Sequence, residues 1–92
     1  MLKDDKKIVR IYMQLLDEGT PTIRWVNAEV LGENIYLVLP FSGGQETDAR
    51  GIPTDEKWAF PPGSKVKCRM ETWDVWVRGG EDYLVAYEQI KD

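Results

Sequence analysis

The stretch "EKWAFPPGSKVKC", residues 56–68, decides the fold. Pro61 pushes Phe60 into extended backbone, because a proline ring clashes with a helical residue before it. Pro62-Gly63 has the chemistry of a type II turn centre: proline presets the first position and glycine accepts positive φ at the second. Beyond the turn, Val66, Cys68 and Met70 alternate with Lys65, Lys67, Arg69 and Glu71. That period of two predicts a strand with one buried face. The segment reads as a rigid reversal feeding a strand. Trp58 and Phe60, two apart in an extended chain, share a side and cover an open end of the core.

Upstream, Val9, Ile11, Met13 and Leu15 alternate with Arg10, Tyr12 and Gln14, which predicts a first strand. "DEGTP" (17–21) turns the chain. A second strand runs over 22–31 with a change of phase: Ile23 and Trp25 are odd, Val26, Ala28 and Val30 even. A change of phase inside a strand predicts a bulge or a bend of the kind barrel corners need. "GEN" (32–34) signals a hairpin. Ile35, Leu37 and Leu39 then read as the inward phase of a third strand, with Tyr36 and Val38 opposite. Residues 40–57 have no period and are rich in Gly, Pro and acids, so they read as a long mobile loop.

Downstream of Met70 the apolar phase flips to Trp73, Val75 and Val77, predicting another bend near Thr72. "RGGED" (78–82) turns the chain into a last strand over 83–89, where Tyr83, Val85 and Tyr87 are the slightly favoured inward set. Five or six bent antiparallel strands and no helical period predict an all-β, SH3-like barrel over residues 1–92, since closure removes exposed strand edges. An OB-like barrel is the alternative. It ranks second because residues 40–57 are unsuited to the helix such barrels carry.

Two stretches, "LLDEGTPTIRWVNAEVLGENIYLVL" (15–39) and "EKWAFPPGSKVKC" (56–68), resemble a family of small bacterial proteins without assigned function. Its members read Leu-Leu-Asp-Glu-Gly-Thr, then a Trp and an alternating hairpin, then Trp-x-Phe-Pro-Pro-Gly-Ser. The likeness extends over most of residues 8–88 and thins in the long loop and around Thr72–Arg78. It implies a bacterial protein and transfers no catalytic or binding residue. "VNAEVLGENIYLV" (26–38) is also similar to the bent hairpin of Tudor-like and other SH3-like domains.

Ninety-two residues make one domain, with twelve basic and sixteen acidic side chains giving a net charge of −4. An acidic chain repels nucleic-acid phosphates on average. The charged start "MLKDDKK" has no apolar stretch behind it, no run is long enough to span a bilayer, and there is one cysteine. These point to a cytoplasmic protein without membrane contact. The chain has no histidine, which removes the commonest general base and metal ligand. Cys68 lies in an apolar strand phase, where a thiol is inert. The acids Asp17-Glu18, Glu46, Asp48, Asp55-Glu56 and Glu81-Asp82 fall in turns, and neither calcium-loop nor phosphate-loop spacing occurs. The expectation is a protein that is not an enzyme and carries no metal or cofactor.

Aromatic residues are the remaining lead, with four Trp, four Tyr and two Phe. Trp25, Tyr36, Trp58, Trp73 and Trp76 are the candidate binding residues, most of them at phase switches or in an outward phase. The leading expectation is a protein-interaction or self-association module using an aromatic surface and an exposed strand edge. The second is a small-molecule or cationic-ligand pocket at the barrel mouth, lined by Trp25, Trp58 and Trp73. The third is single-stranded nucleic-acid binding along the Lys65, Lys67 and Arg69 stripe. That stripe is followed by Glu71 and Asp74, so a solvated face paired with acids is the plainer account of it.

Overall fold

In the computed structural model, which describes residues 6–74 and 78–91, five strands close into a small barrel and no residue is helical. The strands are β1 (Ile8–Leu15), β2 (Thr22–Gly32), β3 (Ile35–Val38), β4 (Lys65–Trp73) and β5 (Glu81–Gln89). They follow the up-and-down order β1-β2-β3-β4-β5, with every consecutive pair antiparallel. In such a circuit of five, the first and last strands run the same way. The barrel accordingly closes through a parallel contact, Tyr12 opposite Val85. The architecture is that of the small SH3-like and OB-like barrels.

Ile11, Met13, Val26, Ala28, Val38, Val66, Cys68 and Ala86 fill the interior. Burying each larger apolar side chain contributes ~1.5–3 kcal/mol before entropy is counted. The turns follow their residue chemistry. Asp17 and Gly19 take positive φ between β1 and β2, and Asn34 does so between β2 and β3. Gly63 sits at φ +92°, and the Ser64 N–H donates to the Pro61 carbonyl at 3.1 Å, closing the turn around Pro62-Gly63.

The side-chain phases differ from expectation in several places. In β3, Val38 is buried and Tyr36 packs against the core, while Ile35 and Leu37 lie on the other face. Pairing fixes this: Ala28, an inward residue, stands opposite Val38, and Val30 opposite Tyr36. β2 has no bulge at its change of phase, because its pairing with β1 runs unbroken from Ile8–Glu29 to Leu15–Thr22. Ile23 is buried on the outer face instead, opposite Gln14, where Thr72, Trp73 and the Gly79-Gly80 turn line the same cleft. In β5, Ala86 is the interior residue and Val85 is buried outside the interior cluster. The β4–β5 irregularity lies at Lys67/Cys68, not near Thr72. The expected continuation through Val75 and Val77 lies outside the described residues.

The connection 40–57 is folded onto the barrel. Phe41 N–H donates to the Gly51 carbonyl, Asp48 N–H to that of Ile52, and Thr54 N–H to that of Glu46. Ile52 joins the core cluster and Pro53 is fully buried. Two buried apolar residues in an acidic, aperiodic run leave no periodic signal. The segment then pairs with β1: Leu15 bridges Trp58, Leu16 N–H donates to the Lys57 carbonyl, and Ala59 N–H to that of Gln14. Trp58 is 5% exposed. Among the described residues, no helix is long and apolar enough to cross a membrane.

Candidate functional site

β1 and β2 place their outward residues in register, and this builds an aromatic row that crosses strands. Trp25 stands directly opposite Tyr12, and Tyr12 opposite Val85 of β5. The Tyr12 and Tyr83 rings lie 4.9 Å apart, and those of Trp25 and Phe41 5.5 Å apart. All four aromatic residues are half-buried. Two guanidinium groups adjoin the row: Arg10 lies 4.3 Å over Trp25, while Arg24 lies 4.1 Å over Phe41 and 5.4 Å from Trp25. A cation over an indole face gains ring-quadrupole attraction of about 1 kcal/mol at an accessible site.

The two arginines are held differently. Arg24 is paired with Glu56 at 2.8 Å, their side chains 16% and 15% exposed, and its Nε–H donates to the Trp25 carbonyl. Glu56 accepts a second bond from the Trp58 indole N–H at 3.0 Å. This Arg24–Glu56–Trp58 set ties the end of the 40–57 excursion to β2. Arg10 is exposed, stacks on Trp25, and has no ion-pair partner among the described residues. Its N–H groups are available to an acceptor from outside.

The residues singled out from sequence are dispersed. Trp25 is on the outer face. Tyr36 turns inward, and Trp58 is a core residue with its indole N–H satisfied. Trp73 donates its indole N–H to Glu71 at 2.9 Å and lines a cleft of about 770 Å³ with Thr20–Ile23, Thr72, Asp74 and Gly79-Gly80. Trp76 lies outside the described residues. Trp25, Trp58 and Trp73 sit in three environments: the outer face of β2, the core cluster and the cleft beside the end of β4. Arg10, Tyr12, Arg24 and Phe41 were not legible as site residues. Register across β1 and β2 brings Tyr12 to Trp25, and the 40–57 connection brings Phe41 to Trp25 and Arg24, neither of which a linear pattern contains.

The basic stripe is diluted by its neighbours. Lys67 stands opposite Glu88, and Arg69 bonds Glu71 at 2.8 Å while lying 4.5 Å over Tyr87. Hydrogen bonding from Arg69, with a further bond from Trp73, holds the Glu71 carboxyl below its ordinary range against a smaller opposing effect of burial. Burial pushes the Cys68 thiol up to about 12, so at neutral pH it is protonated and a poor nucleophile. Among the described residues no group of three or more Cys, Asp and Glu is placed to hold a metal ion. No protein-family model, curated protein or solved structure matches the chain.

Proposed function

We propose that the chain is a non-catalytic interaction module that takes a protein partner on the outer face of β1 and β2. The observation that carries this reading is the Arg10–Trp25 stack within the Tyr12, Trp25, Phe41 and Tyr83 row. Aromatic rings and arginine are the residue types that concentrate binding energy at protein interfaces. A guanidinium held against an indole loses little further freedom on binding, and its free N–H groups suit a carboxylate on the partner. The test is affinity capture from host extract with the wild type, Trp25→Ala and Arg10→Glu in parallel, each checked for native fold by circular dichroism. A protein retained by the wild type and lost from both variants supports the reading. Equal retention by all three, or retention of nothing, overturns it.

A small ligand is the second reading, favoured by the cleft beside Trp73. It predicts saturable quenching of tryptophan fluorescence by a member of a metabolite or cationic-compound panel. Nucleic-acid binding stands third against a net charge of −4. It predicts salt-dependent retention on single-stranded DNA, and flow-through at low salt would remove it.

A further inference from the structure

β4 is longer than the strand beside it. β3 pairs only with Lys65, Val66 and Lys67, whereas β5 follows the opposite side of β4 as far as Trp73. From Cys68 to Trp73, one edge of β4 has no neighbouring strand among the described residues. The Ile90 N–H donates to the Lys65 carbonyl at 2.8 Å, so the polar groups of Lys65 face β5. Alternation along an antiparallel strand turns those of Lys67, Arg69 and Glu71 the same way, and those of Cys68, Met70 and Thr72 toward the open side. The irregularity at Lys67/Cys68 leaves this pattern intact, because the extra residue, Tyr87, lies on β5.

We propose that two copies of this chain pair through that edge, antiparallel, about a twofold axis at Met70. In this register Arg69 of each copy stands opposite Glu71 of the other, and Cys68 opposite Thr72. Met70, 59% exposed, meets its own counterpart. The in-chain Arg69–Glu71 pair then becomes half of a four-charge array of alternating sign. Centring the axis on Arg69 or on Glu71 opposes like charges, and so does parallel in-register pairing, which cross-strand neighbours disfavour. Charges on an open edge ordinarily deter pairing. Here their order along the strand deters most partners and is satisfied by a second copy in one register. The contact spans five residues a side, so association is reversible and weak compared with interfaces of standard size. This edge is separate from the β1–β2 aromatic face and does not depend on what that face binds.

The experiment is sedimentation of the full chain over a wide concentration range. The expected mass rises from 10.6 kDa toward twice that value as concentration increases, and the rise weakens with salt. Arg69→Glu and Glu71→Arg, assayed singly, each weaken self-association by about tenfold or more, because like charges then face each other twice. Mixed in equal amounts they form a heterodimer, since each supplies the sign the other lacks. Met70→Pro removes the outward N–H without touching the Arg69 and Glu71 bonds to β5, and it also abolishes pairing. A chain monomeric at every concentration overturns the proposal. So does a dimer that survives both charge reversals, or single variants that stay monomeric on mixing while folded by circular dichroism. Trp25→Ala leaves the dimer intact. Its loss in that variant would assign self-association to the aromatic face instead.

Discussion

At the scale of single residues, Glu56 answers two needs at once. It neutralises Arg24 in a mostly buried pair and satisfies the Trp58 indole N–H inside the core. Glu56→Ala leaves both unmet and is expected to cost about 2–4 kcal/mol. Glu56→Gln keeps an oxygen for Trp58 and should cost less, a difference chemical denaturation would measure. Glycines 51 and 63 both have φ near +90°, but a methyl group at Gly63 meets open space, whereas at Gly51 it would lie 2.4 Å from the Pro40 side chain. Gly63→Ala is therefore expected to cost about 1 kcal/mol from backbone strain alone, and Gly51→Ala clearly more, by thermal melting. Cys68 is expected to resist alkylation at pH 8 in the native protein and to react once denaturant is added. Its thiol is raised from 9.0 to about 12 by burial, so the unfolded chain ionises first. Stability is then fully present below about pH 9 and falls as pH rises toward 12, and Cys68→Ala should remove that part of the fall.

At the scale of elements, legibility followed the number of buried faces. β1 and the first half of β4 bury one face, and their alternation located both strands and their inward residues. β2 and β5 bury residues on both sides, Ile23 and Val85 outside and Ala28 and Ala86 inside, so a single alternating pattern misassigned them. In β3, Ile35, Tyr36, Leu37 and Val38 are all apolar enough to face inward, and only pairing with Ala28 and Val30 settles the phase. The 40–57 excursion is organised by Asp48, whose Oδ1 accepts the N–H groups of Arg50 at 2.8 Å and Ile52 at 3.1 Å. The Ile52 bond is the first cause holding this carboxyl below 3.8, with Arg50 adding to it. A depressed carboxylate contributes stability above its ordinary value, and that contribution is lost as pH falls through the folded-state value. Amide exchange at Ile52 is expected to quicken as pH is lowered through that range, after correction for intrinsic rates. Asp48→Asn, which does not titrate, should flatten the dependence.

At the scale of the whole molecule, closure is the uneven part. β1 and β2 share an unbroken eight-pair register, whereas the β1–β5 seam is a single parallel pairing at Tyr12 and Val85. Local opening should begin at that seam. Native-state hydrogen exchange is expected to show the amides flanking Val85 on the β1 side exchanging well before those between β1 and β2. Protection spread evenly around the barrel would refute this. On the other side of the barrel, the short β3 leaves the far half of β4 without a neighbouring strand among the described residues, while the aromatic row lies on the β1–β2 outer face.

By itself, the sequence determined that this chain is all-β, that turns follow β1 and β2, that the Pro62-Gly63 reversal feeds a strand, and that Cys68 is buried, whereas the last strand begins at Glu81, inside the expected 78–82 turn. Those properties depend on the conformational limits of proline and glycine and on period-two alternation, which act over a few residues. Only the tertiary structure decided which side of β2, β3 and β5 is interior, that Ile52 joins Trp58 in completing the core, and that Arg10 stacks on Trp25 beside Tyr12. Those depend on strand register and on chain segments far apart in order, and an apolar residue can satisfy the hydrophobic effect against either face.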